Sequence, residues 1–314
     1  MENLIFSLNA TIPVFLMMVL GYVFRRLGLF GEDVAQKMNT FVFKVTLPVM
    51  VFGDLAVLDI AEAWDTRFVL FCFCVTLFSV AAAAGISFLF RDGGSRGEFI
   101  QAAYRSSAAI LGIAFITNIY GDAGMAPLMI IGSVPLYNIM AVVVLSVFQP
   151  ERRPLDRALV KKTAKGIVTN PIILGILAGL LWSALRLPMP TILHKTVSNL
   201  GGISSPLGLM AMGATFDPKR AVGKVGQSVT AAVIKLVGFC ALFLPPAVAL
   251  GFRDEKLVAI LIMLGSATTV SSYVMARSMG HDGVLSSSVV MLTTLFSAFT
   301  LTFWLWLLRS LGYL

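Results

Sequence analysis

The sequence predicts an all-α integral membrane protein of about ten transmembrane helices, arranged as two related halves of five. Three observations predict this fold: an apolar composition, a series of apolar runs of membrane-spanning length, and matching residues at a fixed offset between the halves. Of the 314 residues, 58% are hydrophobic and 13% are charged. Soluble domains are about half apolar and a quarter charged, so lipid must cover part of this apolar surface.

The apolar runs are each roughly 17–25 residues long, which is the length a helix needs to cross a bilayer. Charged residues gather in the gaps between the runs, and the alternation typical of barrel strands is absent. The predicted spans are 5–24, 38–58, 68–90, 99–119, 125–148, 168–186, 199–216, 228–250, 257–277 and 284–310.

The lysine and arginine residues predict the orientation. Fifteen of them lie in one set of loops, and six lie in the set that shares a side with the termini. Because basic loops face the cytoplasm, we expect the 149–167 loop to be cytoplasmic and both termini to be external, in a cell inner membrane. The formal net charge of +8 then reflects orientation. No basic face is interleaved with aromatic residues, so we expect no nucleic acid partner.

The two halves share residues at an offset of 158. The matched pairs are Pro13 with Pro171, Gly21 with Gly179, Pro48 with Pro206, and Asp59 with Asp217. Because each half has five spans, the halves enter the membrane from opposite sides, which is the inverted repeat typical of secondary transporters. Chance similarity between apolar segments is the alternative. The expected organisation is a first repeat over 1–148, a linker over 149–167, and a second, inverted repeat over 168–314.

Several segments carry a family resemblance. They are IPVFLMMVLGYVFRRLGLF, MNTFVFKVTLPVMVFGDL, PLYNIMAV (135–142), NPIILGILAGL (170–180), SSPLGLMAMGATF (204–216) and LTTLFSAFTL (292–301). In their order and spacing, the chain resembles the bacterial branch of the auxin efflux carrier family over essentially its whole length. The resemblance implies a five-plus-five inverted repeat, broken fourth and ninth spans that cross at mid-membrane, and an organic anion such as malate or malonate as substrate.

The sequence departs from the family pattern in one respect, because the fourth and ninth spans lack the proline often found near the crossover. We expect the breaks near 107–113 and 266–272. The ninth span is too polar for a lipid-facing segment, so its polar residues are candidates for substrate contact. They are Ser266, Thr268, Thr269, Ser271, Ser272 and Tyr273. The alternative is close helix packing, with the hydroxyls bonded to backbone carbonyls.

The fourth and fifth spans supply further candidates for substrate binding: Arg105, Ser106, Ser107, Gly112, Tyr137 and Asn138. The planar guanidinium of Arg105 suits a carboxylate; the alternative is that it snorkels to the headgroups. An asparagine within a span is costly unless it is hydrogen-bonded, so Asn138 should face a cavity or a neighbouring helix.

Pro48 and Pro206 are predicted to kink the second and seventh spans and to free backbone carbonyls that could line the pathway. Lys44 is a candidate proton carrier, since a buried lysine favours its neutral form. Lys235 and Asp54 are the remaining ionisable residues within predicted spans that we considered.

Together these features predict a secondary active transporter that moves a small carboxylate, such as a dicarboxylate, by alternating access. Proton or sodium coupling and a homodimer are left open, and we expect no cofactor and no bound metal. One alternative is an anion or solute channel. An intramembrane enzyme is the other, although the two histidines, His194 and His281, lie near loops on opposite predicted sides.

Overall fold

The computed structural model describes residues 2–57, 64–108, 115–116, 119–121, 124–150, 165–166 and 168–314. Within these ranges the chain is helical and contains no strand. The helices are α1 (Glu2–Arg26), α2 (Glu32–Phe41), α3 (Leu47–Ala56), α4 (Thr66–Ser87), α5 (Arg96–Tyr104), α6 (Ala126–Val147), α7 (Pro171–Ala184), α8 (Thr191–Gly202), α9 (Ser204–Thr215), α10 (Pro218–Val222), α11 (Val225–Val233), α12 (Phe239–Ala249), α13 (Asp254–Gly265), α14 (Ser271–Ser278) and α15 (Val284–Ser310). A π-helical turn, Val42–Thr46, joins α2 to α3, and a second, Ile234–Gly238, joins α11 to α12.

Five helical segments in the described ranges are long and apolar enough to cross a membrane. They are Glu32–Ala56, Thr66–Ser87, Ala126–Val147, Val225–Ala249 and Val284–Ser310. A shorter apolar helix is Pro171–Ala184. An all-helical chain with several such segments is a multi-pass membrane protein.

Helix α15 has the surface expected of a helix in lipid. Its large apolar side chains Phe296, Phe299 and Phe303 are about half exposed and recur at helical spacing on one face. Thr293 and Ser297, by contrast, are buried. One face of α15 is therefore apolar and exposed, while its small polar residues face the protein interior together with apolar ones such as Leu301 and Leu305.

Two close helix contacts relate the halves of the chain. A Cβ added at Gly21 on α1 would lie 2.2 Å from the carbonyl oxygen of Met210 on α9. A Cβ at Gly179 on α7 would lie 2.9 Å from that of Phe52 on α3. The offset of 158 carries Gly21 onto Gly179 and Phe52 onto Met210, so the same contact occurs twice with the halves exchanged. Only glycine permits this backbone approach.

Helix α5 ends at Tyr104, and Arg105 has extended backbone with φ −72° and ψ 137°. Helix α13 ends at Gly265, and α14 begins only at Ser271. The second interruption agrees with the expected 266–272. The first begins at Arg105, before the expected 107–113, and positions 109–113 of that interval lie outside the described residues. Arg105 is therefore at a helix end and not inside a helix.

Both interruptions form without proline because contacts with each other and with α15 satisfy the freed backbone groups. The N–H of Ser107 donates to the carbonyl of Ala267 at 2.9 Å. The N–H of Thr268 donates to Oγ1 of Thr293 at 3.0 Å. Backbone groups that leave a helix in an apolar environment require such partners. The hydrogen bond between Ser107 and Ala267 joins residues 105–107 to residues 266–270, and we call these two segments the crossover.

Candidate functional site

Arg105 is the largest buried charged side chain at the crossover, with 2% of its surface exposed. Its Nη2 donates to Oδ1 of Asn138 at 2.8 Å and to Oγ of Ser271 at 2.7 Å. Nη1 contacts Sδ of Met275 at 2.9 Å. All three partners are neutral, and no ion pair involves Arg105 in the described residues. Nε has no hydrogen-bond partner there.

The residues around Arg105 are oriented by their own hydrogen bonds. Nδ2 of Asn138 donates to the carbonyl of Val134 at 3.0 Å, which turns the amide oxygen towards the guanidinium. Oγ of Ser271 also lies 3.2 Å from Oγ1 of Thr269. Helices α5, α6 and α14 thus meet at one guanidinium, and candidates predicted from three separate spans are brought together.

Further hydrogen bonds tie α5 to the interrupted α13–α14 segment. Nε2 of Gln101 donates to the carbonyl of Ser272 at 2.8 Å. Oγ1 of Thr268 donates to the carbonyl of Ala102 at 2.8 Å. The hydroxyl of Tyr137 on α6 donates to the carbonyl of Met263 at 3.2 Å. These bonds hold the ends of the broken helices in a fixed relative position.

A cavity of about 40 Å³ opens beside the crossover. It is lined by Leu47, Met50, Val51, Asp54, Arg105, Ser106, Ser107, Ala108, Val134, Tyr137, Asn138, Thr269 and Ser271. The crossover and α6 provide most of the polar wall, whereas α3 provides an apolar wall with one carboxyl group, that of Asp54. This volume accommodates about one water molecule.

Lys235 lies on the π-helical turn between α11 and α12, and its side chain is completely buried. Nζ donates to Oγ of Ser106 and to the carbonyl of Leu264. It also lies 3.4 Å from the carbonyl of Met263, which accepts a hydrogen bond from Ser106 as well. A second buried cation therefore contacts both broken helices, again through neutral oxygens.

The other candidates of the ninth span do not line the cavity. Thr268 is engaged with Ala102, while Ser266 and Ser272 are buried and their hydroxyls lack a partner in the described chain. The hydroxyl of Tyr273 pairs with Thr215 and faces a separate polar cavity of about 130 Å³. Of these, only the hydroxyl of Thr268 is bonded to a backbone carbonyl among the described residues, as the packing alternative expects. Gly112 lies outside the described residues.

The expected burial of Lys44 is wrong. Its side chain is exposed, because position 44 faces outwards on the π-helical turn while Val42 and Phe43 face inwards. The buried lysine of the structure is Lys235, and Lys44 is exposed.

The two kink prolines lie away from the cavity. Pro48 follows the first π-helical turn, where the N–H of Leu47 bonds to Val42 five residues earlier, and it packs against Gly175. Pro206 lies in the first turn of α9 and is exposed.

Sequence reasoning assigned no site role to Lys235, Asp54 or the carbonyls of Met263 and Leu264. A signal existed for the first two, since each is an ionisable residue within an apolar run. The direction in which each faces depends on helix packing, which the sequence does not specify.

A second charged region lies where α5, α10–α11 and α15 approach one another. Oδ2 of Asp282 pairs with Lys224 at 3.0 Å and with Arg220 at 3.0 Å. Nζ of Lys224 also donates to Oγ of Ser95 at 2.7 Å. Burial raises the pKa of Asp282, but hydrogen bonds from the N–H of Val284 and from Lys224, together with the positive charge of Lys224, hold this pKa below its ordinary value.

Glu98 in this region caps α15. Its Oε1 accepts the N–H of Gly283 at 3.1 Å and its Oε2 accepts the N–H of Ser286 at 2.9 Å. A carboxylate at a helix N-terminus satisfies unpaired N–H groups and interacts favourably with the helix dipole. We call Glu98, Arg220, Lys224 and Asp282 the paired-charge cluster.

Comparison with known proteins agrees with a transport role. A family model described as "Membrane transport protein" matches residues 6–305. An "Uncharacterized transporter" of Methanocaldococcus jannaschii is 20% identical over 311 residues, which cover 96% of this chain and 99% of that protein. A Rhizobium meliloti protein named "Putative malonate transporter" is 24% identical over 312 residues, which cover 95% of each chain.

The family and the relatives' names indicate a transporter and point away from an enzyme. The match extends over nearly the whole chain and includes both interrupted helices. The resemblance seen in the sequence segments is thereby confirmed. The chain belongs to the membrane transport protein family, the family of the auxin efflux carriers.

Proposed function

We propose that this protein is a secondary active transporter that moves a small organic anion, a dicarboxylate or another carboxylate, across a cell inner membrane by alternating access. The observation that carries the proposal is Arg105. This buried guanidinium lines the cavity at the crossover and has only neutral partners among the described residues.

An unpaired buried charge is costly, so a substrate of opposite charge is the natural partner. Removing an ion from water costs several kcal/mol unless a counter-ion or good hydrogen bonds compensate. Two hydrogen bonds to neutral acceptors and one contact with a thioether compensate this cost only in part. A carboxylate that enters the cavity can accept from Nε, which has no described partner, and can complete a two-pronged interaction.

The name of the Rhizobium meliloti relative supports a dicarboxylate such as malonate. The buried ammonium of Lys235, which contacts Ser106 beside Arg105, adds a second positive charge near the site. Asp54 on the opposite wall is negative when ionised and opposes the second carboxylate of such a substrate. We place one substrate carboxylate at Arg105 and the second within reach of the Asp54 carboxyl, so that an ionised Asp54 weakens the binding of a dicarboxylate.

The cavity of about 40 Å³ is far smaller than ordinary ligand pockets of roughly 300–1,000 Å³. Substrate entry therefore requires α3 to move away from the crossover. The exchanged contacts of Gly21 with Met210 and of Gly179 with Phe52 support an inverted repeat, and such repeats rock to expose a fixed site alternately on each side.

The distribution of basic residues supports external termini and a cytoplasmic 149–167 loop. In a cysteine-free background, a single cysteine at position 157 should react with a membrane-impermeant maleimide only after cells are opened. A cysteine at position 314 should react in intact cells. Reaction of position 157 in intact cells contradicts the proposed orientation.

The proposed activity is tested with purified protein in liposomes. Uptake of radiolabelled malonate should saturate with concentration and should be inhibited by other small dicarboxylates but not by neutral diamides of the same length. Non-saturable flux supports a channel, and chemically altered label supports an enzyme. Absence of any carboxylate uptake, with the protein folded and oriented in both directions, contradicts an organic anion substrate.

A further inference from the structure

Lys235 is bound at the ends of two broken helices, a kind of place where some transporters hold a coupling cation. Its ammonium donates to the carbonyl of Leu264, at the end of α13, and to the hydroxyl of Ser106, at the end of α5. The carbonyl of Met263 lies 3.4 Å away. Carbonyls freed at the C-terminal ends of broken helices attract cations because the helix dipole is negative there.

No acidic residue compensates Lys235 in the described part of the chain, where the ion pairs involve only Arg220, Lys224 and Lys256 on the basic side. A lysine that is 0% exposed is stable only where polar oxygens replace water around its charge. Here the oxygens belong to both broken helices. The ammonium therefore links α5 to α13 as a bound ion would.

We propose that this cluster of oxygens is a monovalent-cation site that the protein fills with its own lysine, so that Lys235 replaces a coupling sodium ion. The inference deepens the proposed transport function by assigning its cation requirement. Sodium is not needed to assemble the crossover, and transport by the native protein should proceed equally in sodium and in choline.

The test is to remove the ammonium and to offer a free ion. In Lys235→Ala the oxygens of Leu264, Met263 and Ser106 remain, with space for a small cation. Lys235→Met is the matched control, because its uncharged side chain of similar length fills that space. The melting temperature of each purified variant is measured in sodium chloride and in choline chloride at equal ionic strength, without substrate.

We expect Lys235→Ala to melt several degrees lower than the native protein in choline and to regain much of the loss in sodium, with saturation as the concentration rises. For the native protein and for Lys235→Met, the melting temperature in sodium chloride should equal that in choline chloride. The proposal is overturned if sodium raises the melting temperature of the native protein as much as that of Lys235→Ala, or if sodium does not raise the melting temperature of Lys235→Ala.

A second variant guards against misfolding of the first. Lys235→Ser adds a hydroxyl oxygen to the site and should show the same sodium dependence. If neither variant survives purification, solubilised membranes are compared by size-exclusion chromatography. A monodisperse peak in sodium alone supports the site, and its loss in both salts overturns it. Because no substrate is present, failure of malonate uptake leaves this result unaffected.

Discussion

The crossover and the paired-charge cluster use charged residues in opposite ways. In the cluster, the carboxylate of Asp282 contacts two cations, and Glu98 is bonded to backbone N–H groups of α15. At the crossover, Arg105 and Lys235 are buried against neutral oxygens and sulfur. The charges of the cluster are paired within the structure, whereas Arg105 is buried without a counter-ion among the described residues, which under the proposed function leaves it available to an anionic substrate.

The largest expected effect is on substrate binding when Arg105 is changed. Arg105→Ala removes a charge-assisted hydrogen bond worth about 1.5–3 kcal/mol, so affinity should fall about ten- to hundredfold. Arg105→Lys keeps the charge but loses the planar guanidinium, so its affinity for malonate should lie between that of the native protein and that of Arg105→Ala. The measurement is the Kd for malonate from a thermal-shift titration.

Arg220→Ala is the control for this experiment, since Arg220 belongs to the paired-charge cluster and lies outside the cavity. It should leave the Kd for malonate unchanged. If a well-folded Arg105→Ala protein binds malonate as the native protein does, Arg105 is not in the binding site and the distinction between the two regions fails.

The next largest effect is on stability when Glu98 is changed. Glu98→Ala leaves the buried N–H groups of Gly283 and Ser286 without an acceptor, at a cost of about 1–3 kcal/mol. Glu98→Gln retains one acceptor oxygen and should cost less. The melting temperature should be highest for the native protein, lower for Glu98→Gln and lowest for Glu98→Ala. The Kd for malonate of the folded protein should stay constant. A large change in Kd with little change in melting temperature would place Glu98 in the binding site instead.

Changing Asp54, which lines the same cavity, should alter the affinity for malonate less than changing Arg105 does, and should raise it rather than lower it. Its carboxyl lines the wall opposite Arg105, so an ionised Asp54 repels the second carboxylate of a dicarboxylate. Asp54→Asn should therefore raise the affinity for malonate a few-fold and leave a monocarboxylate unaffected. Asp33→Asn, a carboxylate in a shallow groove beside Lys44, is the matched control. Equal malonate affinity in Asp54→Asn and native protein contradicts the opposed-charge arrangement.

The sequence was sufficient for much of the fold because hydrophobic length and charge placement report directly on helices in lipid. The described helices Thr66–Ser87, Ala126–Val147 and Val284–Ser310 begin and end within three residues of the predicted spans. The interruption after Gly265 was visible as a polar run. The interruption at Arg105 begins before the expected 107–113, and no proline marks it in the sequence; its Ser107 N–H is bonded to Ala267 in the other interruption, a contact that the sequence does not reveal.

The site was predicted less well than the fold because the facing of a side chain depends on packing. Arg105, Asn138 and Ser271 were candidates from three different spans and lie together in the structure, whereas Ser266, Thr268 and Ser272 from the same polar run do not line the cavity. Lys44 and Lys235 look alike in sequence, each in an apolar run, but one is exposed and the other is buried. Hydrophobicity does not distinguish them.

The smallest expected effect concerns pH and the paired-charge cluster. The pKa of Asp282 lies below its ordinary value, so the folded state favours its ionised form. Its contribution to stability is therefore present above the unfolded-state pKa and is lost as the pH falls through the lower, folded-state pKa.

Asp282→Asn should remove that part of the acid dependence, so its melting temperature should fall less steeply with decreasing pH than that of the native protein. Because the side chain is 32% exposed, solvent screening keeps the difference small. Melting curves of both proteins between about pH 3 and pH 7 measure it. An unchanged slope in Asp282→Asn would mean that its carboxylate is not stabilised by Lys224 and Arg220, and the cluster would then differ less from the crossover than the contacts indicate.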